Sequence, residues 1–190
     1  TSASSCSTPS IAPAAQDAAR RLRKALGARS LDEADGVEVV GRRPRDRRGY
    51  VTPFPLDHFA IGRGFTGAVV VTEVEVDTLL GRVRPTRVWS GVAAGRIYAP
   101  RLARSQCEGG VVQGIGYALF EQRQEDPSTG TVLTANLEDY HIPGIADTPE
   151  IDVYFHTEGW DHVPGRGVGL GEVCTMAVAA SIGNAVRHAT

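Results

Sequence analysis

The sequence predicts an α+β fold, because strand and helix patterns interleave along the chain while two of the strands are expected to pair as a hairpin. Residues 65–76 (FTGAVVVTEVEV) are rich in β-branched side chains, and residues 83–93 supply a second strand after a six-residue connection. Residues 106–122 repeat apolar side chains mainly on one helical face. The hairpin favours this fold class over a wound parallel sheet.

Length and charge bound the class of protein. The chain has 190 residues, with 20 Lys+Arg against 22 Asp+Glu and a net charge of −2. This balance offers no electrostatic attraction for nucleic acid or an anionic membrane. No apolar run is long enough to predict a membrane span. We expect residues 1–190 to form one domain, a size that holds a core of its own.

The N-terminal part predicts a helix and little sheet. The run AAQDAARRLRKAL repeats apolar residues at helical spacing, with Pro13 in the first turn and Gly27 just beyond the end. In the stretch 28–60 only Val37–Val40 predicts a strand, and Arg42–Arg48 predicts a solvated loop.

The strands at 65–76 and 83–93 are expected to be neighbours. Val74 and Val76 alternate with glutamates, so that end of the first strand has one solvated face. Gly81 lies near the end of the connection, as a hairpin turn requires. Pro85 predicts a break or bulge in the returning strand, since proline has no N–H to donate.

Glycines weaken the helix predicted at 106–122. Gly110, Gly114 and Gly116 each cost about 1 kcal/mol relative to alanine. Such a cost indicates close packing against another backbone or a ligand. The remaining predicted elements are a turn at 126–130, a strand at 151–156, a glycine-rich loop at 165–171 and a closing helix from about 175 to 189.

The sequence G-V-G-L-G-E, residues 167–172, stands immediately before that closing helix. Free N–H groups at a helix start bind anions or polar ligands, and glycines let a ligand approach the main chain. Glu172 stands at the junction, where its carboxylate can act as a general base or interact with the N-terminus of its own helix. No Gly-Lys-Ser/Thr follows, so the loop is not a phosphate-binding P-loop.

Two further segments offer polar groups to a ligand. Gln106 is expected at the start of a helix, where its amide donates and accepts at once; the alternative is an exposed glutamine on a tightly packed helix. The serine-rich segment that includes Ala3, Ser4, Ser5 and Cys6 offers hydroxyls and free amides to a phosphate; a tail or an ordinary helix cap is the alternative.

The cysteines and histidines predict no metal site made by this chain alone. Cys6, Cys107 and Cys174 are widely spaced, and the five histidines show no metal-ligand spacing. Reduced thiols are typical of the cytoplasm, which is the expected location, with export to the periplasm alongside a partner as the alternative.

From about Phe65 onward the chain resembles the C-terminal part of the molybdenum-binding subunit of the xanthine dehydrogenase / aldehyde oxidase family. The resemblance is carried by AVVVTEVEVDTLLGRVR, QCEGGVVQGIGYALFE, LEDYHIPGIADTPEIDVYF and GVGLGEVCTMAVAASIGNAVRHAT. The first 27 residues resemble the family's serine-rich cofactor loop and the helix after it, and 28–60 is the weakest match. The resemblance implies a layered mixed sheet with antiparallel hairpins and packed helices.

The resemblance also implies a function. Proteins of this family bind a molybdenum–pyranopterin cofactor and hydroxylate aldehydes or N-heterocycles, with oxygen derived from water and a hydride passed to a molybdenum sulfido group. Electrons leave through iron–sulfur clusters and FAD on partner subunits or domains. The chain is expected to be a fragment of a larger molybdenum subunit, inactive in isolation, whose partners are the rest of that subunit and the iron–sulfur and FAD subunits.

Residue by residue, Glu172 matches the catalytic base, Gly171 the residue before it in the cofactor-facing loop, and Gln106 the glutamine that hydrogen-bonds the cofactor. Residues 3–6 match the loop around the pterin and its phosphate. Some positions depart from the family pattern: Val168 precedes the Gly-x-Gly-Glu, and GRIYAP has an alanine where the family has asparagine. These departures keep open a second function, a non-catalytic scaffold or assembly module that retains the fold.

Overall fold

The computed structural model describes residues 7–42, 66–161, 163 and 165–190. The chain packs as two compact units. The second unit comprises Thr66–Ala93, Ala99–His156 and Leu170–Thr190, and the described residues of the first unit are 7–42, 94–98 and those between 157 and 169. The assignment of residues 1–190 to a single functional domain stays a prediction.

A three-stranded mixed sheet organises the second unit. Strands β1 (Gly67–Asp77) and β2 (Arg82–Ala93) pair antiparallel, and β3 (Glu150–His156) pairs parallel to β2 on its other side. Gly81, at the end of the turn between β1 and β2, has a φ of 65°. The predicted hairpin and the α+β class are therefore confirmed.

The predicted irregularity at Pro85 is a β-bulge. Glu73 pairs with Arg87 while Val74 pairs with Pro85, which leaves Thr86 as the extra residue on β2. The bulge places the proline, which cannot donate to the ladder, where the pairing is already interrupted.

Three helices complete the second unit: α2 (Pro100–Leu119), α3 (Val173–Met176) and α4 (Val178–Ala189). The connection between the parallel strands β2 and β3 contains α2, since parallel strands require a long crossover. The buried core cluster takes one residue from β2 and two each from α2 and α4: Val88, Val111, Ile115, Val178 and Ile182. Helices α2 and α4 therefore share the hydrophobic centre of this unit.

Two helix boundaries differ from the sequence prediction. Helix α2 begins at Pro100, six residues before the predicted start, because proline suits the first helical position. The closing helix was predicted in one piece from about residue 175, but it is divided at Ala177 into α3 and α4. The strand at 151–156 and the turn at 126–130 are confirmed, the turn by a 2.8 Å bond from the Gly130 N–H to the Asp126 carbonyl.

In the first unit, α1 (Ser7–Leu26) confirms the predicted N-terminal helix but begins earlier. Pro13 lies inside the helix rather than in its first turn, so that prediction is wrong. Gly27 has a φ of 61° and donates its N–H to the Arg23 carbonyl at 3.1 Å, as expected of a residue just beyond a helix end.

The strand predicted at Val37–Val40 is absent, since this described stretch has no strand partner. The segment after it lies along α1 instead. A Cβ on Gly41 would meet the Ala14 carbonyl oxygen at 2.1 Å, and the Arg42 N–H donates to the Asp17 carboxylate at 2.8 Å. This bond and the Arg21 guanidinium lower the pKa of the Asp17 carboxyl. The rest of the predicted loop at 42–48 lies outside the described residues.

Within the described ranges, no helix combines the length and apolar character needed to cross a membrane.

Candidate functional site

Gln106 lies in the second turn of α2, not at its beginning as predicted. Its side chain is exposed, and within the described ranges it makes no hydrogen bond. The amide is therefore free to donate to one group and accept from another.

Two glycines of α2 allow the segment that contains α3 and the start of α4 to pack closely against this helix. A Cβ on Gly110 would lie 2.9 Å from the Cys174 Cβ, and a Cβ on Gly114 would lie 2.5 Å from the Val178 Cβ. Real Cβ atoms do not approach so closely, so these positions need glycine. The predicted close packing of the α2 glycines is confirmed for these two.

Two cysteines join α2 to α3 beneath the surface. Cys107 and Cys174 are both fully buried, and both are free thiols within hydrogen-bonding reach of each other. Cys174 also lies 3.6 Å from the Leu170 carbonyl oxygen, to which its S–H donates. Hydrogen bonding to Cys107, together with burial, raises the pKa of the Cys174 thiol.

Glu172 is the residue immediately before α3. Its backbone carbonyl accepts the Thr175 N–H at 3.2 Å, but its carboxylate makes no capping hydrogen bond. The side chain is exposed, and Gly171 before it is half-buried. Within the described residues the carboxylate has no hydrogen-bond partner, so it is available to a ligand.

The structure brings the neighbours of Gln106 and Glu172 into contact. Cys107 follows Gln106 on α2, and Cys174 lies two residues beyond Glu172, so the thiol contact joins the segments that carry the two predicted site residues. An amide and a carboxylate are therefore presented from packed segments of one unit. The predicted residues Ala3, Ser4, Ser5 and Cys6 lie outside the described residues.

The glycine-rich loop that leads towards Glu172 has its own geometry in the first unit. Gly165 has a φ of 84°, and Arg166 has a φ of 60°, in the left-handed region that non-glycine residues rarely adopt. The Arg166 guanidinium lies 3.2 Å from the Asp161 carboxylate. Gly167 forms an isolated antiparallel β-bridge with Gly95.

The described part of the chain contains no group of three or more His, Cys, Asp or Glu residues able to hold a metal ion.

Sequence reasoning missed the partnership of Cys107 and Cys174. The two residues are 67 positions apart, and nothing local links them. One signal was present: Cys107, Gly110 and Gly114 recur at helical spacing, which predicts a narrow face of small residues on α2. That pattern identifies the face but not what packs on it.

The second unit is a mixed sheet packed against helices, and Gln106 and Glu172 lie exposed on two of its segments that pack together. The model of the family described as "Molybdopterin cofactor-binding domain" matches residues 52–149, more than half of the chain. The chain belongs to this family. The resemblance seen in the sequence is confirmed.

Individual relatives agree. The chain is 38% identical over 120 residues to the aldehyde oxidoreductase molybdenum-binding subunit PaoC of Escherichia coli strain K12, covering 62% of this chain and 16% of that protein. It is 29% identical over 186 residues to a probable xanthine dehydrogenase subunit of Bacillus subtilis strain 168, covering 98% of this chain and 24% of that protein.

The fold also matches a solved structure. Quinoline 2-oxidoreductase from Pseudomonas putida 86 superposes with a TM-score of 0.55 and 29% sequence identity, over 60% of this chain and 15% of that one. The chain thus spans between about one seventh and one quarter of the length of these relatives.

Proposed function

We propose that this chain is the C-terminal cofactor-binding part of the molybdenum subunit of a xanthine dehydrogenase / aldehyde oxidase-type oxidoreductase. The observation that carries the proposal is the packing of α2 against α3 at Gly110 and Cys174. This packing sets Gln106 and Glu172 on adjoining segments, with exposed side chains that make no hydrogen bond within the described residues. The family to which the chain belongs is described as a molybdopterin cofactor-binding domain, and we propose that Gln106 and Glu172 contact that cofactor.

The described residues fit such a cofactor. A pyranopterin and the oxygen groups of its metal need hydrogen-bond donors and acceptors rather than further metal ligands from the protein. The described chain offers an unbonded amide and an unbonded carboxylate, and no metal-ligand cluster. Residues 3–6 would add hydroxyls and backbone amides around the pterin phosphate.

Each side chain then has a distinct role. When bound, the molybdenum cofactor supplies two-electron redox chemistry at a carbon atom of the substrate. Gln106 donates its amide N–H and accepts a hydrogen bond, and so orients the bound group. Glu172 accepts a proton through its carboxylate as the general base, and Gly171 lets the main chain approach the ligand closely.

The relatives bear on substrate and partners. They include subunits named for aldehyde oxidoreductase, xanthine dehydrogenase and nicotine 6-hydroxylase, so we propose an aldehyde or an N-heterocycle as substrate. Another relative is a subunit of a dehydrogenase complex. We propose that the chain acts with the remainder of the molybdenum subunit and with iron–sulfur and FAD subunits. Alone, it is expected to be inactive.

The two adjacent free thiols bear on location. Cys107 and Cys174 lie in hydrogen-bonding reach without forming a disulfide, which suits a reducing compartment. We therefore propose a cytoplasmic complex.

The test is Glu172→Gln in the assembled enzyme. Glutamine is nearly the same shape but accepts no proton, so the rate at which substrate reduces the molybdenum centre in a single turnover should fall at least 10²–10⁴-fold. The rate is normalised to bound molybdenum, whose amount should not change. Glu158→Gln, the same change at an exposed glutamate elsewhere, is the matched control and should leave the rate unaltered.

A near wild-type rate in the Glu172→Gln enzyme would contradict the base role. Together with normal assembly of the complex, that result would favour the second function, a scaffold that keeps the fold without contributing to the chemistry.

A further inference from the structure

Within the described residues, the Glu172 side chain makes no hydrogen bond or ion pair that would fix its position. Its carboxylate is exposed and makes no capping bond. The short helix α3, which it precedes, has four residues and little stability of its own. The direction of the carboxylate must therefore be set by whatever holds the backbone on either side of it.

The backbone after Glu172 packs against α2 at Gly110, where the helix carries no side chain. A Cβ on Gly110 would lie 2.9 Å from the Cys174 Cβ, 3.2 Å from the Thr175 Oγ1 and 3.4 Å from the Cys174 carbonyl carbon. Two of these atoms lie close to the backbone and cannot swing aside as the end of a long side chain can. Only glycine at position 110 allows Cys174 to sit this close to the helix.

Polar contacts of Cys174 and Thr175 also hold this segment against α2. The Cys174 thiol proton has two acceptors in reach, the Leu170 carbonyl at 3.6 Å and the buried Cys107 sulfur. The bond to Leu170 closes a loop around Glu172. One turn along α2, the Thr175 hydroxyl donates to the Gln113 Oε1 at 3.4 Å.

We infer that Gly110 and Cys174 are positioning residues, which together fix the backbone of Glu172 and so aim its carboxylate. This inference rests on the proposed function of Glu172. Carbon atoms in contact are normally about 3.5–4.0 Å apart, so a methyl group at position 110 would push the segment by about 1 Å. A misplacement of that size at a reacting group costs up to about 10²-fold in rate.

The experiment compares Gly110→Ala with Gly109→Ala in the assembled enzyme. A Cβ at Gly109, on the same helix, meets nothing within 4 Å. Gly110→Ala should lower the limiting single-turnover rate per bound molybdenum about 10- to 100-fold and leave the half-saturating substrate concentration unchanged within about threefold. Gly109→Ala should change neither value. A general loss of stability would lower the amount of active enzyme but not this rate.

A second readout does not depend on activity. The Thr175 N–H is bonded to the Glu172 carbonyl at 3.2 Å, so loosening of the segment should speed its backbone hydrogen exchange. Peptides covering 170–176 should exchange at least about fivefold faster in Gly110→Ala than in Gly109→Ala.

Wild-type rate and wild-type exchange in Gly110→Ala would overturn the inference. If this variant fails to assemble, Cys174→Ala replaces it, because it removes the thiol bonds without adding bulk; unchanged rate and exchange there would be equally decisive. Failure of the proposed function is distinguishable. In that case Glu172→Gln is fully active, while backbone hydrogen exchange of residues 170–176 still measures how firmly this segment packs against α2.

Discussion

The chain has two glycine-rich segments, one in each unit, and they need glycine for different reasons. In α2, Gly110 and Gly114 have ordinary helical backbone, and the space for a side chain is taken by Cys174 and Val178. In the loop before Glu172, Gly165 has a φ of 84°, which disfavours any side chain whatever the space. Packing decides the two α2 positions. At Gly165 the backbone conformation decides, and a Cβ there would also lie 3.0 Å from the Tyr98 hydroxyl.

This difference shows that a glycine in a sequence does not by itself indicate close approach, because a positive φ is a separate reason for glycine. Gly130 supports the distinction: its φ is 69°, yet a Cβ there would meet nothing within 4 Å. A glycine with ordinary helical φ, such as Gly110, indicates that another element packs closely against it. A glycine with a positive φ, such as Gly130, indicates a local turn.

The largest expected effect is that of Gly114→Ala. The new Cβ would lie 2.5 Å from the Val178 Cβ and 3.0 Å from both of its methyl carbons, in the centre of the core. Overpacking should cost about 1–3 kcal/mol in the free energy of unfolding, more than the helix-propensity gain of at most about 1 kcal/mol. Urea unfolding of the protein measures the difference.

Gly109→Ala is the control for this change. It makes the same substitution in the same helix, but at a position open to solvent. It should raise the free energy of unfolding by up to about 1 kcal/mol. Equal stability changes in the two variants would mean that packing does not decide the α2 glycines.

An intermediate effect is expected for Gly165→Ala. Its φ of 84° makes the alanine conformation unfavourable by about 1–2 kcal/mol. Gly130→Ala, which has a similar φ and no neighbour in reach, should cost nearly the same amount in thermal or urea unfolding. A much larger cost at Gly165 would show that its contact with the Tyr98 hydroxyl, and not its backbone, sets the requirement.

The smallest effect concerns Arg166, which has a left-handed φ of 60° without being glycine. Arg166→Gly should be more stable than Arg166→Ala by about 1 kcal/mol, because only the glycine variant relieves the strained backbone. Both variants lose the ion pair between Arg166 and Asp161, so that loss cancels in the comparison. The two side chains of the pair are 66% and 83% exposed, so its contribution to stability is small. Equal stabilities would indicate that the loop does not hold this conformation in solution.

Local patterns determined much of the fold. The β-branched run, the turn with Gly81 and the proline at position 85 predicted β1, β2 and their bulge, because these signals act within a few residues of one another. The helix at 106–122 was predicted from its apolar spacing, but the observed helix begins six residues earlier, at Pro100. The apolar spacing that predicts the helix starts later than the helix itself, so it does not mark the first residue. The strand expected at Val37–Val40 failed because a strand needs a partner, and none of the described strands pairs with that stretch.

By itself, the sequence determined the α+β class, the hairpin, the glycine requirement of α2, and Glu172 and Gln106 as candidate site residues, the last two through motifs that resemble one family. Only the tertiary structure decided that Cys107 and Cys174 meet, that Cys174 packs against Gly110, and that the Glu172 carboxylate makes no capping hydrogen bond to its own helix. The physical reason is distance along the chain. Turns and periodic faces are set by neighbouring residues, but the contact between two thiols 67 positions apart exists only once α2 and α3 have packed together.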